Sequence, residues 1–212
     1  MSRGARPLPP AGANGVRIIG GRWRGTRLAV ADASGLRPTP DRTRETLFNW
    51  LTPVLPGARV LDLFAGSGVL GLEALSRGAA QALLVERDRA LADAIDAACT
   101  RLHAGDAARV VCADAHVVLA APLHGRFDVV FVDPPFAGDH WQQVTAALEH
   151  WVHAGSWLYV ESPVSRDVAP VPGWVEHRAG ITRETRFALY RRAPPMRAAP
   201  RPERAVGTAE SR

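Results

Sequence analysis

The sequence predicts an α/β fold in which a mostly parallel seven-stranded sheet is flanked by helices and preceded by a small N-terminal hairpin-and-helix extension. Three observations lead there. Strand-like and helix-like segments alternate from residue 57 to about 161, which calls for parallel strands joined by crossover helices. The first of these strands runs into Gly66-Ser67-Gly68, where a helix begins. The last two apolar runs lie too close together for a helix between them and form a hairpin that completes one sheet edge. At 212 residues the chain accommodates one such domain with a full core, and two large domains would not fit.

Residues 1–15 and 193–212 are rich in Pro, Gly, Ala and Arg, bury almost nothing, and are expected to be disordered tails. Residues 16–56 form the extension. Two short strands, 16–19 and 26–30, flank a turn at Gly20-Gly21, and a helix follows with Thr39 as its cap and Pro40 at its first position. Leu47, Phe48, Leu51 and Leu55 fall on one face of that helix, and Pro53 and Pro56-Gly57 end it. The main domain, 57–192, then reads as strand 59–64, helix 68–77, strand 81–86, helix 88–103, strand 109–112, helix 115–121, strand 127–132, helix 140–153 and strand 156–161. Runs at 174–179 and 185–191, joined through Gly180, make the closing hairpin.

All 26 basic residues behind the net charge of +5 are Arg. Seven of them, Arg17, Arg22, Arg24, Arg27, Arg37, Arg42 and Arg44, crowd residues 17–44 against Asp32 and Asp41, while residues 59–160 are net acidic. That asymmetry suits a polyanionic partner gripped by the extension. Arg42 and Arg44 have a second reading, in which they pair with carboxylates such as Glu45 or Glu161 and hold the helix to the core. Cys99 and Cys112 are too isolated for a zinc site or a disulfide framework, and no apolar run has the length of a signal peptide or a membrane span. A cytoplasmic protein without membrane or metal is expected. His150 and His153, one helical turn apart, lack a third metal ligand. Trp23 and Trp50 lie among the arginines and could stack on bases or pack in the core, and Trp141 could flank the site or pack its helix.

The chemistry lies at strand ends. Val60-Leu61-Asp62-Leu63-Phe64-Ala65-Gly66-Ser67-Gly68 is a strand leading into a cofactor loop, whose glycines admit a ligand close to the backbone at a helix N-terminus. The string through Gly71 also satisfies the dinucleotide fingerprint, so the loop alone leaves NAD(P) and S-adenosylmethionine open. Glu86, ending the second strand, can accept from two ribose hydroxyls, and Asp114, ending the third, can hold an adenine amino group or cap the next helix. Asp133-Pro134-Pro135-Phe136 after the fourth strand favours methyl transfer to a planar nitrogen. An exocyclic amine is a poor nucleophile because its lone pair is delocalised. Asp133 and the Pro134 carbonyl can accept from its N–H groups, and Phe136 can stack on the base.

In these stretches the chain resembles the bacterial 16S rRNA guanine-N2 methyltransferase family usually called RsmD, over residues 16–192. The likeness rests on Arg17-Ile18-Ile19-Gly20-Gly21, Arg24-Gly25, the run from Arg37-Pro38-Thr39-Pro40 to Asn49, Phe64 to Gly68, Asp133 to Phe136, and Tyr159-Val160-Glu161. It implies a Rossmann-like class I methyltransferase that carries a methyl group from S-adenosylmethionine to a guanine N2 in the 16S rRNA of the 30S subunit, acting as a monomer. Asp133, Pro134 and Phe136 are then the catalytic residues. Asp62, Phe64, Gly66, Gly68, Glu86 and Asp114 are the cofactor residues, and Arg17, Arg22, Arg24, Arg37, Arg42 and Arg44 contact RNA. The absence of Lys departs from the family, so any contact a lysine makes there falls to Arg or is missing. The alternatives are methylation of a DNA adenine or a protein amide, an NAD(P) oxidoreductase, and an RNA-binding protein with a decayed site.

Overall fold

The computed structural model describes residues 15–29, 39–134, 140–166 and 172–194. Its centre is one sheet covered on both faces, as alternation along the strands requires. In β3 (Arg59–Asp62), Val60 faces one core and Leu61 the other. In β6 (Phe127–Val132), Val129 and Phe131 join Val60 while Val130 and Val132 join Leu61. Burial on both faces explains why these strands are nearly continuous apolar runs. The sheet order is β5 (Ala108–Cys112), β4 (Gln81–Glu86), β3, β6, β7 (Val152–Pro163), β9 (Thr185–Arg192), β8 (Trp174–Ile181). From β5 to β7 the strands are parallel, and β9 runs antiparallel to both β7 and β8.

Helices α1 (Asp41–Leu51), α2 (Val69–Ser76) and α3 (Arg89–Arg101) cover the Val60 face. Helices α4 (Ala115–Leu119) and α5 (His140–Ala147) cover the Leu61 face. Because Leu47, Phe48 and Leu51 of α1 share a core with Val60 and Phe131, the first helix is part of the sheet's cover and the extension has no core of its own. All eight residues of α2 are buried, Glu73 among them.

Ahead of α1, the antiparallel pair β1 (Val16–Arg17) and β2 (Arg27–Leu28) is shorter than the sequence suggests, and its link is a 3-10 turn at Gly21–Trp23. This turn is docked on the end of α2. Ser76 Oγ accepts from the Trp23 N–H at 2.9 Å and donates to the Gly20 carbonyl at 2.6 Å. Gly21 has φ +74°, and a Cβ there would lie 1.9 Å from the Ser76 carbonyl oxygen, so the approach requires glycine.

Two other boundaries differ from the sequence reading. The helix expected over 140–153 ends at Ala147, tightens into a 3-10 turn at Leu148–Trp151 and enters β7 at Val152. Trp151 fixes this turn by filling the core and donating its indole N–H to the Leu119 carbonyl at 3.1 Å. Gly180 belongs to β8 instead of the hairpin link, where the Phe187 ring lies over it, and the turn falls between Thr182 and Thr185.

Candidate active site

The parallel strands place their C-terminal ends side by side, Asp62 in register with Leu84 and Phe131, and Glu86 with Cys112. The loops that follow therefore converge on one sheet edge, where open α/β sheets take their ligands. After β3 the chain keeps close to its neighbours: Leu63 N–H donates to the Phe131 carbonyl at 3.2 Å and Ala65 N–H to the Val85 carbonyl at 2.9 Å. Gly66 and Gly68 then turn it at φ +54° and +75°, and Gly68 caps α2. A side chain at Gly68 would be strained there and would press Ile95 at 3.0 Å. Phe64 is half-buried against the α4–α5 core.

Glu86 holds this loop. Its Oε2 accepts from Gly66 N–H and its Oε1 from Asp88 N–H, each at 2.8 Å, and each oxygen keeps a lone pair for another donor. Asp114 caps α4 by accepting from His116 N–H at 2.8 Å. Asp62 is buried behind the loop and accepts from Gly71 N–H at 3.0 Å. Burial, with the nearby charge of Glu86 and against the Gly71 bond, lifts Asp62 to about 7.

Asp133 and Pro134 follow β6 at the same edge, Asp133 half-buried and Pro134 buried. Phe136 lies outside the described residues. Thr39, expected to cap α1, makes no cap bond; Pro40 takes the cap position, and the Thr39 hydroxyl donates to Asp133 Oδ2 at 3.4 Å. Glu161 on β7 accepts from the Tyr159 hydroxyl at 2.5 Å, and the Thr39 hydroxyl lies close enough to its carboxylate to favour the charged form. Burial, then Glu161, then Asp62 push Asp133 well above the usual carboxylate range. Glu161 is raised by burial against the opposing bonds from Tyr159 and Thr39. Thr39, Tyr159 and Glu161 thus join the site through hydroxyl and carboxylate contacts. Tyr159 and Glu161 stand in the stretch that supported the family resemblance, but no spacing in the sequence assigned them to Asp133.

The arginines divide. Arg22, Arg24 and Arg42 are exposed, with the Arg22 guanidinium 4.1 Å over the Trp23 ring. Arg17 is exposed and pairs with Asp41 at 3.3 Å. Arg37 lies outside the described residues. Arg44 is not placed to grip a phosphate: it is fully buried, donating to the Arg17 carbonyl at 2.9 Å, the Thr39 carbonyl at 3.2 Å and Asp41, with Glu73 at 3.7 Å. Its partners are Asp41 and Glu73, neither of which is Glu45 or Glu161. Glu73 was not singled out by the sequence reading, although a lone carboxylate in an otherwise apolar helix was a signal for it. It accepts from Ile19 N–H and from Arg77, both at 2.7 Å, and so ties β1's continuation to α2.

Trp50 stacks on Phe187 with ring centres 5.6 Å apart, and Trp141 is buried with its indole N–H donating to the Glu161 carbonyl at 2.7 Å. Both are packing residues. His153 lies on β7 and bonds Asp128 at 2.9 Å, so it does not share a helix with His150. Among the described residues no group of His, Cys, Asp and Glu could hold a metal ion, and no helix is long and apolar enough to cross a membrane.

Comparison with known proteins places this geometry. Residues 16–191 match the family described as conserved hypothetical protein 95. Ribosomal RNA small subunit methyltransferase D of Escherichia coli (strain K12) is 46% identical over 185 residues, 86% of this chain and 92% of that protein. The protein of the same name from Haemophilus influenzae is 37% identical over 179 residues, 82% and 93% of the two chains. Among solved structures, a putative methyltransferase from Escherichia coli superimposes with a TM-score of 0.77 at 46% identity, covering 85% of this chain and 99% of that one.

Proposed function

Since the chain belongs to the conserved hypothetical protein 95 family and is a Rossmann-like methyltransferase, we propose that it carries the methyl group of S-adenosylmethionine to the exocyclic N2 of one guanine in small-subunit ribosomal RNA. The observation that carries this reading is the position of Asp133 and Pro134 at the end of β6, beside the glycine loop of β3. Two acceptors, a carboxylate and a carbonyl with no competing N–H, suit the two N–H groups of an exocyclic amine on a base. The adenine N6 amine offers the same pair of donors, and guanine is chosen on the resemblance to the 16S rRNA guanine-N2 methyltransferases.

The residues present fit the cofactor. The left-handed glycines leave the loop without side chains where a ligand would approach, and Glu86 and Asp114 stand at adjacent strand ends with acceptor capacity for hydroxyl and amino groups. Phe64, Gly66, Gly68, Glu86 and Asp114 would hold it, with Asp62 fixing the loop from behind through Gly71. S-adenosylmethionine, when bound, supplies an electrophilic methyl on a sulfonium. The dehydrogenase reading of the same loop is set aside because the chain is a methyltransferase.

In the mechanism the protein positions and polarises, and provides no nucleophile. Asp133 and the Pro134 carbonyl accept from the amine N–H groups and return electron density to nitrogen, and Phe136 is assigned to stacking on the base. Arg22, Arg24, Arg42, Arg17 and Arg37 are assigned to the RNA backbone, and the stacked Arg22–Trp23 pair offers a platform for an unpaired base.

The test is transfer of labelled methyl from S-adenosylmethionine to 30S particles from a strain lacking the gene, followed by nucleoside analysis. N2-methylguanosine is expected. Methylated adenosine or labelled protein would overturn the reading.

A further inference from the structure

The methyl-transfer reading uses Asp133 and leaves a second buried carboxyl beside it without a task. Glu161 sits on β7, the strand next to β6, one position beyond the register pair Val132 and Val160. It is buried, anchored by the Tyr159 hydroxyl at Oε1, and its backbone carbonyl is fixed by the Trp141 indole. The Thr39 hydroxyl, hydrogen-bonded to Asp133 Oδ2 at 3.4 Å, also lies close enough to the Glu161 carboxylate to favour its charged form. The other titratable groups acting on the pair from the packed elements, among the described residues, are Asp62 on β3 and Tyr159 on β7. Neither brings positive charge, and the buried Arg44 guanidinium on α1, whose Nε donates to the Thr39 carbonyl at 3.2 Å, is paired with Asp41 and Glu73.

We propose that Asp133 and Glu161 hold one proton between them, and that Glu161 takes it through the Thr39 hydroxyl when a target amine donates into Asp133. Glu161 is then a positioning residue that acts through Asp133. Two adjacent carboxylates that accept from hydroxyls and from no cation among the described residues cannot both ionise cheaply in a low-dielectric site, so one proton is retained at neutral pH. In the free protein it rests on Asp133. Asp133 faces the charges of Glu161 and Asp62, and once Asp133 carries the proton and donates to Thr39 Oγ1, the Thr39 hydroxyl proton is free to join the Tyr159 hydroxyl in stabilising the Glu161 anion. An incoming N–H favours the anionic form of Asp133 and reverses the balance. Asp133 Oδ2 gives its proton to Thr39 Oγ1 as the Thr39 hydroxyl proton passes to Glu161. One O–H bond breaks and one forms at each step, and net charge is unchanged. Asp133 then meets the amine as an acceptor only.

The inference rests on the proposed role of Asp133, so its test begins with a measurement that needs no substrate. Infrared pH titration of the ligand-free protein should show a protonated-carboxyl band at neutral pH that Asp133→Asn removes. Subtraction of the Asp133→Asn spectrum separates the pair from Asp62, which titrates near 7. In Glu161→Gln the neighbouring charge is gone. The Asp133 band should titrate at lower pH by about one unit or more, and the acid limb of the kcat profile should move with it. At pH 8 the rate should stay within about fivefold of wild type. If Glu161→Gln does not fold, Thr39→Val serves instead. It should keep the band, slow turnover at neutral pH, and recover as Asp133 ionises at higher pH. A wild type with no protonated carboxyl assignable to Asp133, or a Glu161→Gln titration identical to wild type, overturns the inference. A shared proton in a protein that methylates some other target leaves it standing and overturns the guanine reading.

Discussion

The Thr39 hydroxyl and Asp133 Oδ2 are hydrogen-bonded at 3.4 Å, so the residue just ahead of α1 touches the carboxyl at the tip of β6, 94 positions away. Removing that donor while keeping the shape should disturb chemistry more than binding. Thr39→Val is expected to lower kcat roughly tenfold at neutral pH, about 1.4 kcal/mol, with unchanged S-adenosylhomocysteine affinity. Thr39→Ser should restore the rate. Weaker cofactor binding in the valine variant, or no rescue by serine, would count against the contact.

Asp133 and Glu86 should separate in the same way. Asp133→Ala is expected to abolish methyl transfer and leave cofactor affinity near wild type, because Asp133 is assigned to the amine. Glu86→Ala removes the carboxylate that accepts from Gly66 and Asp88 and should weaken cofactor binding, by about tenfold or more. Calorimetric titration with S-adenosylhomocysteine checks both. Equal losses of affinity would show the roles to be misassigned.

Arg44 should behave as a structural cation. Arg44→Ala leaves the buried Glu73 with the Arg77 guanidinium and the Ile19 N–H, frees the carbonyls of Arg17 and Thr39, and is expected to cost about 3–5 kcal/mol of stability. Denaturant unfolding reads this directly. A loss below about 1 kcal/mol would mean that solvent replaces the guanidinium without difficulty.

The exposed arginines should give the opposite pattern. An Arg22→Ala, Arg24→Ala, Arg42→Ala triple variant is expected to keep its melting temperature and cofactor affinity and to bind RNA more weakly. For every phosphate left without its arginine, the slope of log affinity against log salt should flatten by roughly 0.7 to 0.9. Unchanged RNA affinity across a salt series would remove the extension as the substrate-gripping element.

Asp62 makes stability depend on pH. Its folded pKa is about 7 against a reference of 3.8, so the unfolded chain ionises first as pH rises. The contribution is whole below about pH 4 and is lost progressively as pH rises through about 7, on the order of 4 kcal/mol in total. Asp62→Asn, whose amide oxygen can still accept from Gly71 N–H, should flatten the fall in stability between pH 5 and pH 8. A variant that declines as steeply as wild type would place the cause elsewhere.

The sheet was legible because burial on both faces leaves a strong mark. The strands Gln81–Glu86 and Phe127–Val132 have the bounds their apolar runs imply. The strand-end positions of Glu86, Asp114 and Asp133 followed from the same pattern. The misreadings come where a polar group finds a distant partner. Thr39 has the residue type and position of a helix cap, but Asp133 and Glu161 compete for its hydroxyl, and both are distant in sequence. Arg44 stands in a basic cluster and resembles its neighbours until α1 is laid on the sheet, where its turn of helix faces Glu73. Gly180 looked like a turn because nothing local announces the Phe187 ring above it.

The docking of the Gly21–Trp23 turn on Ser76, and of Ile19 on Glu73, has a consequence for the order in which the protein matures. Residues 15–29 leave the ribosome before α2, and the groups that hold them are synthesised about fifty residues later on that helix. The hairpin pairs through a few residues only and has no core of its own. The basic element is thus fastened only after α2 has folded against the sheet. Until then its arginines have nothing to dock on, and their fixed array arrives together with the cofactor loop that opens the same helix.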